Sequence, residues 1–161
     1  MDRTQTFDGR QFRNALGHFA SGVTIVTAAT REGAVGFTCQ SFTSLSLEPP
    51  MVALAPGKSS TSWPRIREAG SFCVNVLADT QEDLCRAFAA SGTDKFAGVT
   101  WTPGPSGAPR LPGALAHIEC ALTEAYDAGD HELVIGAVRD IETHHGQPLL
   151  FYRGGFNRLG D

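Results

Sequence analysis

Apolar and polar residues alternate along the chain in a pattern that predicts many short strands. Val23–Thr27 is largely β-branched and predicts a strand, and Arg31–Gly33 predicts the turn that joins it to a second strand, Ala34–Cys39, in a hairpin. Asp127–Asp130 predicts a hairpin turn between the two longest strand patterns. The remaining strands are expected over Met51–Ala55, Ser71–Leu77, Ala116–Thr123, Glu132–Ile141 and Leu149–Tyr152.

Helical spacing predicts three short helices. In the first, Phe12, Leu16 and Phe19 share one face with Ala15 and Ala20, and Asp8 with Gln11 forms a capping box. The other two are a helix from about Thr61 to Ala69 that ends at Gly70, and a helix capped by Thr80 with Asp83 that has Leu84, Cys85 and Phe88 along its apolar edge.

The order of these elements indicates the fold class. Antiparallel strands dominate, regular βαβ alternation is missing, and Thr102–Pro112 is rich enough in proline and glycine to be a loop. We therefore expect a mainly β protein with short helices, a β-barrel with helical insertions. Its 161 residues suit one domain over 1–161.

Composition excludes several classes of protein. The chain is 42% hydrophobic, too apolar for disorder, and its longest apolar runs are too short to cross a membrane. Its 13 Lys and Arg residues against 17 Asp and Glu residues argue against nucleic acid as a partner. Met1–Thr6 has no apolar core and does not resemble a secretory signal. The four cysteines form no C-x-x-C pair, which favours free thiols in the cytoplasm over a structural disulfide.

Two nucleotide-binding motifs are absent from the sequence. The chain has no G-x-G-x-x-G, and so a Rossmann dinucleotide site is not expected. Gly57-Lys58-Ser59 resembles the end of a phosphate-binding loop, but Val52 stands where that loop requires glycine. Neither of these two nucleotide sites is therefore expected.

Hydroxyl groups are concentrated near a lysine. Lys58-Ser59-Ser60-Thr61 precedes the second predicted helix, where exposed N–H groups, hydroxyls and a cation together suit a phosphate. The alternative is that these residues only cap a helix and decorate a turn. A second group of hydroxyls lies upstream, at Thr38, Ser41, Thr43, Ser44 and Ser46.

The remaining candidates for chemistry are weak when considered alone. His131, beside a predicted turn, is either a site residue or a solvated turn residue. His144-His145 lacks partners at metal-ligand spacing, and no metal site is predicted. Cys39 is expected to be buried as a small apolar group, and Trp63 and Phe88 are expected in the core.

One segment of the chain resembles the signature of the short-chain flavin reductases. It reads Gly36-Phe37-Thr38-Cys39-Gln40-Ser41-Phe42-Thr43-Ser44-Leu45-Ser46-Leu47-Glu48-Pro49-Pro50. These enzymes are the reductase components of two-component flavin-dependent monooxygenases. The similarity extends over nearly the whole chain and includes Phe12-Arg13, Gly22–Thr27, Lys58-Ser59-Ser60, Phe72–Leu77, Asp94–Gly98, Gly129-Asp130-His131 and Leu150–Gly155.

The resemblance implies an FMN-binding split β-barrel, a homodimer that uses FAD or FMN with NADH or NADPH and gives reduced flavin to a separate monooxygenase. It also implies roles for particular residues. His131 would face the nicotinamide, and Ala55 and Pro56 would back the flavin ring. The other implied flavin contacts are Phe37, Thr38, Cys39, Gln40, Ser41, Phe42 and Ser44 around the ring and ribityl chain, Lys58, Ser59 and Ser60 with Ser44 at the phosphate, and Phe96, Tyr152, Arg153 and Gly154 along the same pocket.

Two alternative functions that are compatible with this resemblance stay open. One is a flavin-binding or flavin-sensing split barrel without turnover, and the other is an enzyme like the pyridoxamine-phosphate oxidases. A barrel that binds some ligand other than flavin is a third and more general alternative. The role of Arg86 also stays open, because relatives carry their basic residue directly before the phenylalanine of this helix, where this chain has Ala87.

Overall fold

The protein is described by a computed structural model that covers residues 5–160, and so most of the N-terminal segment considered as a signal lies outside the described residues. Its three helices are α1 (Gly9–Leu16), α2 (Trp63–Ala69) and α3 (Glu82–Ala89). Its strands are β1 (Ser21–Gly22), β2 (Thr24–Thr30), β3 (Gly33–Cys39), β4 (Phe42–Leu47), β5 (Pro50–Leu54), β6 (Ser71–Val76), β7 (Thr102–Pro103), β8 (Pro109–Arg110), β9 (Ala116–Ala128), β10 (His131–Thr143), β11 (Leu150–Tyr152) and β12 (Gly155–Asn157).

Seven strands form one antiparallel sheet in the order β3-β2-β6-β9-β10-β5-β4. The hairpin of β9 and β10 is its centre, since β9 also pairs with β6 and β10 also pairs with β5. A small sheet of β1, β11 and β12 and the pair β7–β8 complete the strands of residues 5–160. The predicted fold class, mainly β with antiparallel strands and short helices, is confirmed.

Two apolar clusters stabilise this arrangement because they remove large side chains from water. One lies between the main sheet and α2, where Trp63 and Ile66 pack with Phe72. The other gathers Phe88 and Leu111 with neighbours from β2 and α3. The predicted burial of Trp63 and Phe88 is confirmed. Gly136 of β10 allows close packing here, since a Cβ atom would lie only 3.0 Å from Phe72 and 3.1 Å from Cys120.

Several predicted local features are confirmed. Asp8 and Gln11 form the capping box of α1, with each side chain bonded to the other residue's backbone N–H at 2.8 Å. Gly70 ends α2 in the left-handed conformation, with φ of 79°. The β2–β3 and β9–β10 hairpins form as expected.

Other predictions need correction. The helix predicted through Ala20 ends at Leu16, and none of its residues is buried, since its apolar face does not pack on the core of this chain. The third helix is preceded by Gln81 rather than capped by Thr80, because the Gln81 side chain accepts from the Ala78 N–H at 2.9 Å. The predicted loop Thr102–Pro112 contains the short pair β7–β8.

A buried ion network links that short pair to the main sheet. The Arg110 guanidinium, of which 10% is exposed, lies 2.6 Å from both Asp140 and Glu142 and 3.7 Å from Glu119. Glu119 is 2% exposed, and Ser106 donates a hydrogen bond of 2.6 Å to its other carboxylate oxygen. Among the described residues, the Arg110 guanidinium is the positive group nearest to the buried Glu119 carboxylate.

We predict that Arg110→Ala lowers the free energy of unfolding by about 3–5 kcal/mol, because it leaves the Glu119 carboxylate buried without its cation. Urea denaturation followed by circular dichroism measures the change. The matched control is Arg139→Ala, an exposed arginine on β10, for which a change within about 0.5 kcal/mol is expected. Equal stability of the two variants would contradict the role of Arg110.

Candidate functional site

A cleft of about 500 Å³ opens beside β3, between the start of β10 and α3. Phe37, Ala55 and Pro56 give it apolar surface, and seven of its lining residues carry hydroxyl groups. Its lining residues are Phe37, Thr38, Cys39, Gln40, Ser41, Ala55, Pro56, Gly57, Ser59, Ser60, Thr61, Ser62, Phe88, Ala89, Ser91, Lys95 and His131. The fold thus gathers ten of the predicted site residues around a single space: Phe37–Ser41, Ala55, Pro56, Ser59, Ser60 and His131.

 Thr61, from the hydroxyl-rich run that the sequence suggests for a phosphate, also lines the cleft.

The link between β3 and β4 forms one wall of the cleft and is held by its own hydroxyl groups. Ser41 Oγ donates to the Ala55 carbonyl at 2.9 Å and accepts from the Ala55 N–H at 3.1 Å. Thr38 Oγ1 donates to the Cys85 carbonyl at 2.6 Å, which ties this wall to α3. These two hydroxyls therefore shape the cleft through backbone contacts.

Backbone hydrogen bonds join the tip of the β9–β10 hairpin to the segment Pro56–Lys58 beside the cleft. The Lys58 N–H donates to the Asp130 carbonyl at 2.9 Å, and the Glu132 N–H donates to the Pro56 carbonyl at 3.0 Å. Gly57 and His131 face each other between these two bonds. The His131 ring is thereby placed at the edge of the cleft.

The side chains around His131 determine how its ring is presented. Asp130 Oδ1 lies 2.7 Å from His131 Nδ1, and this hydrogen bond lowers the pKa of the Asp130 carboxyl below its usual value. Because a carboxylate can only accept a hydrogen bond, the hydrogen between the two side chains belongs to His131 Nδ1. His131 Nε2 therefore stays available for a ligand. Glu132, bonded to Trp63 and at 2.6 Å to Arg67, holds the start of β10 in place.

The hydroxyl-rich segment 59–62 lines the cleft without being part of a helix. The helix expected from about Thr61 begins at Trp63, because Ser60 Oγ accepts from the Trp63 N–H at 3.1 Å and the segment before it turns away. Ser62 Oγ donates to the Gly36 carbonyl at 3.1 Å, which connects the segment to β3. A phosphate would thus meet hydroxyls of a loop.

Lys95 is the lysine that lines this cleft, and sequence reasoning missed it. Its Nζ donates to the Gly36 carbonyl at 3.0 Å, and burial lowers the pKa of its ammonium group. The run Asp94-Lys95-Phe96 belongs to the family resemblance and is the signal that could identify Lys95, although the resemblance implies a contact only for Phe96. Lys58 instead forms an ion pair with Asp127 and does not line the cleft.

A second, more apolar pocket of about 390 Å³ adjoins the cleft and shares Thr38, Gln40 and Ala89 with it. Phe151 and Phe156 form part of its wall. The Arg86 guanidinium lies 4.7 Å from the centre of the Phe156 ring, a cation–π contact. Arg86 is thus placed next to the cleft without lining it.

The remaining predicted contacts lie outside the cleft of this chain. Phe96 packs against Phe88, with ring centres 4.9 Å apart, and Phe42 packs against the core cluster near α2. The others are Ser44 on β4, Lys58, Tyr152 on β11, and Arg153 and Gly154 in the turn after it. Their predicted roles stay predictions.

Cys39 is the one cysteine that lines the cleft, and it is buried as expected. Burial raises the pKa of its thiol, which therefore stays protonated and is a poor nucleophile. All four cysteines are buried and unpaired, as the sequence predicts. Burial and the neighbouring Glu119 carboxylate raise the pKa values of Cys73 and Cys120 to about 12.

Membrane insertion through a helix has no basis in the described part of the chain. Each of its three helices is too short to span the hydrocarbon layer of a bilayer.

Comparison with known proteins gives consistent matches over nearly the whole chain. Residues 16–160 match the family model described as "Flavin reductase like domain". The reductase subunit HsaB of a flavin-dependent monooxygenase from Rhodococcus jostii is 49% identical over 156 residues, covering 96% of this chain and 80% of that protein. The NADH-dependent FMN reductase SmoA of Agrobacterium fabrum is 44% identical, with 94% and 87% covered.

A solved structure gives the same result in three dimensions. The NADH:FAD oxidoreductase SgcE6 of Streptomyces globisporus, in complex with NAD and FAD fragments, superposes with a TM-score of 0.90 at 37% identity. The match covers 98% of each chain. With a family model, curated relatives and a solved structure in agreement, this chain belongs to the flavin reductase-like family.

Proposed function

We propose that this chain transfers hydride from NADH or NADPH to FAD or FMN and supplies free reduced flavin to a separate flavin-dependent monooxygenase. One observation carries the proposal: the 500 Å³ cleft joins an apolar wall, a hydroxyl-rich loop, a lysine and a histidine in a member of this family. The relatives support it, since their names describe reductases that use NADH with FMN or FAD, or that serve a monooxygenase.

The residues of the cleft fit a flavin by their chemistry. Phe37, Ala55 and Pro56 offer an apolar surface to a flat ring, and backbone N–H groups between Thr38 and Ser41 can bond its polar edge. Ser59 and Ser60 offer hydroxyl donors to a phosphate. When bound, the flavin supplies a hydride acceptor, and the chain supplies position and hydrogen bonds.

Alignment of two rings is the main catalytic task left to the protein. Reactants held in a reactive geometry can gain about 7–11 kcal/mol in favourable intramolecular models, so no nucleophile is needed. His131 stands at the open edge of the cleft with its Nδ1 held by Asp130. We assign its Nε2 to a hydrogen bond that orients the nicotinamide.

Since the family model matches residues 16–160 as one domain, we infer that both ligands share one cleft. We propose that a second copy of the chain completes it as a homodimer. Phe19 and Leu47 are 80% and 91% exposed, and the apolar face of α1 is unpacked. Such apolar surface is typical of an interface. Tyr152, Arg153 and Gly154, on the surface of one chain, are available to the partner's cleft.

The four buried, unpaired thiols support a reducing compartment. We therefore keep the cytoplasm as the proposed location, where NADH and free flavin are both present.

Anaerobic stopped-flow spectroscopy tests the proposed reaction. The protein is mixed with FMN or FAD and then with NADH or NADPH, and the loss of visible flavin absorbance is recorded. We expect bleaching much faster than in the same mixture without protein. Bleaching at the protein-free rate would indicate a flavin-binding protein without turnover. Oxygen consumption with pyridoxamine phosphate alone would indicate the oxidase alternative, and failure to retain flavin would indicate another ligand.

His131→Ala is expected to raise the KM for NADH about 3–10-fold, the size of one lost hydrogen bond, with flavin affinity changed less than about twofold. Steady-state NADH oxidation and flavin fluorescence titration measure the two effects. His145→Ala, a histidine remote from the cleft, is the control. Unchanged NADH kinetics in His131→Ala would remove the assigned role.

Lys95→Met is expected to weaken flavin binding about 10–100-fold, because a charged donor to the phosphate contributes about 1.5–3 kcal/mol. Lys58→Met is the matched control, since Lys58 is paired with Asp127 outside the cleft. Fluorescence titration with FMN gives both dissociation constants. A larger loss for Lys58→Met would assign the phosphate to Lys58, as the family resemblance implies, and would contradict the assignment to Lys95.

A further inference from the structure

A second cluster of polar side chains lies at the other end of the β9–β10 hairpin from the cleft. His117 on β9, Glu142 on β10 and His144 just beyond β10 border a separate pocket of about 530 Å³. At about 3.3 Å per residue, Glu142 is about 36 Å along the strand from His131. The spacing along the sequence gives His144 no metal-binding partners. The strand pairing supplies two, because it sets His117 directly opposite Glu142, two residues before His144.

The ligand atoms of this cluster converge. Glu142 Oε1 lies 2.7 Å from His144 Nε2 and 3.9 Å from His117 Nδ1, and all three atoms lie within 4.8 Å of one another. Each of these atoms can present a lone pair to a cation. An ion bound tetrahedrally at about 2.0–2.1 Å from each would place them about 3.3 Å apart. The observed separations lie on either side of that value.

The buried ring of His117 points to a cation rather than to a chance cluster. His117 is 4% exposed, and its Nε2 lies 2.9 Å from the Leu111 carbonyl, which can only accept. Nε2 therefore carries the hydrogen, and Nδ1 of the neutral ring presents a lone pair. Among the described residues, this buried Nδ1 has no hydrogen-bond partner. Buried polar atoms are rarely left unsatisfied.

A proton alone cannot satisfy this arrangement. A proton on His144 Nε2 would bond to Glu142 but leave His117 Nδ1 without a partner. A proton on His117 Nδ1 would face Glu142 across 3.9 Å, beyond hydrogen-bond distance. A metal ion between the three atoms satisfies all of them. The bond from His117 Nε2 to a backbone carbonyl is also the support that metal-binding histidines usually have.

Arg110 orients the carboxylate of the cluster. Its Nη1 bonds Glu142 Oε2 at 2.6 Å, which turns Oε1 towards the two histidines. The positive charge of Arg110 opposes a second cation nearby. Asp140, at 2.6 Å, and the buried Glu119, at 3.7 Å, offset that charge. The local charge balance thus leaves room for a divalent ion.

We propose that His117, Glu142 and His144 form a metal site for a divalent transition-metal ion, and we assign it to Zn²⁺. Two imidazoles with one carboxylate suit Zn²⁺, whereas Mg²⁺ and Ca²⁺ prefer all-oxygen sites. Three protein ligands leave a fourth position open towards the pocket for water or a small anion. The ion would join β9, β10 and the segment after them, and so stabilise the hairpin end remote from the flavin cleft.

Isothermal titration calorimetry with Zn²⁺ tests the site. The flavin-free, untagged full chain is first treated with a chelator, and the chelator is removed before the titration. We expect one Zn²⁺ per chain, a higher melting temperature with Zn²⁺, and visible absorption bands of tetrahedral Co²⁺ on substitution. His144→Ala and Glu142→Gln alter half-exposed side chains and are therefore expected to fold. Loss of a residue that only supports a metal ligand typically lowers metal affinity about 10–100-fold. We expect each variant, which loses or weakens a ligand itself, to lose at least as much affinity for Zn²⁺.

His145→Ala is the matched control, because His145 borders the same pocket outside the cluster. We expect it to bind Zn²⁺ like the unaltered chain. Absence of stoichiometric binding would overturn the proposal, and so would His144→Ala binding Zn²⁺ as tightly as the unaltered chain. Flavin reduction by the protein is measured separately, so a failed metal titration leaves the proposed reductase activity untouched.

Discussion

The pairing of β9 with β10 is the constraint on which the rest of the structure depends. Thirteen-residue strands are matched from His131↔Ala128 at one end to Thr143↔Ala116 at the other. Since β9 also pairs with β6 and β10 with β5, this register determines where both halves of the main sheet lie. A shift of one residue would turn the whole apolar set of each strand to the wrong face. The register, interrupted by two bulges, is therefore fixed where the strands are buried, around His117–Cys120 and Val134–Gly136.

This one hairpin positions two different kinds of chemistry. At its turn, backbone bonds to Pro56 and Lys58 hold His131 beside the cleft. At its open end, the same ladder sets His117 opposite Glu142. Between them, Gly136 lets β10 approach Phe72 without a clash. The paired strands thus fix the positions of both the turn and the open end.

Much of this could be predicted from sequence, for reasons that differ among the elements. The β-branched run at the start of β2, the capping box of α1 and the glycine that ends α2 depend on neighbouring residues and are read locally. β4 was missed as a strand because it lies at an exposed sheet edge and is rich in hydroxyls, so it has little burial pattern. Lys95 was missed because its place in the cleft depends on a distant contact with Gly36.

The histidine cluster shows why spacing rules fail for sites built across strands. Metal-ligand motifs recognise ligands a few residues apart, as on a helix turn or a tight loop. His117 and His144 are far apart in sequence, and His117 meets Glu142 only because the hairpin pairs them directly. Even that pairing identifies neighbours rather than ligands. The unsatisfied Nδ1 of a buried ring distinguishes the two, because its lone pair faces a carboxylate oxygen and a second imidazole nitrogen, as in a site for a cation.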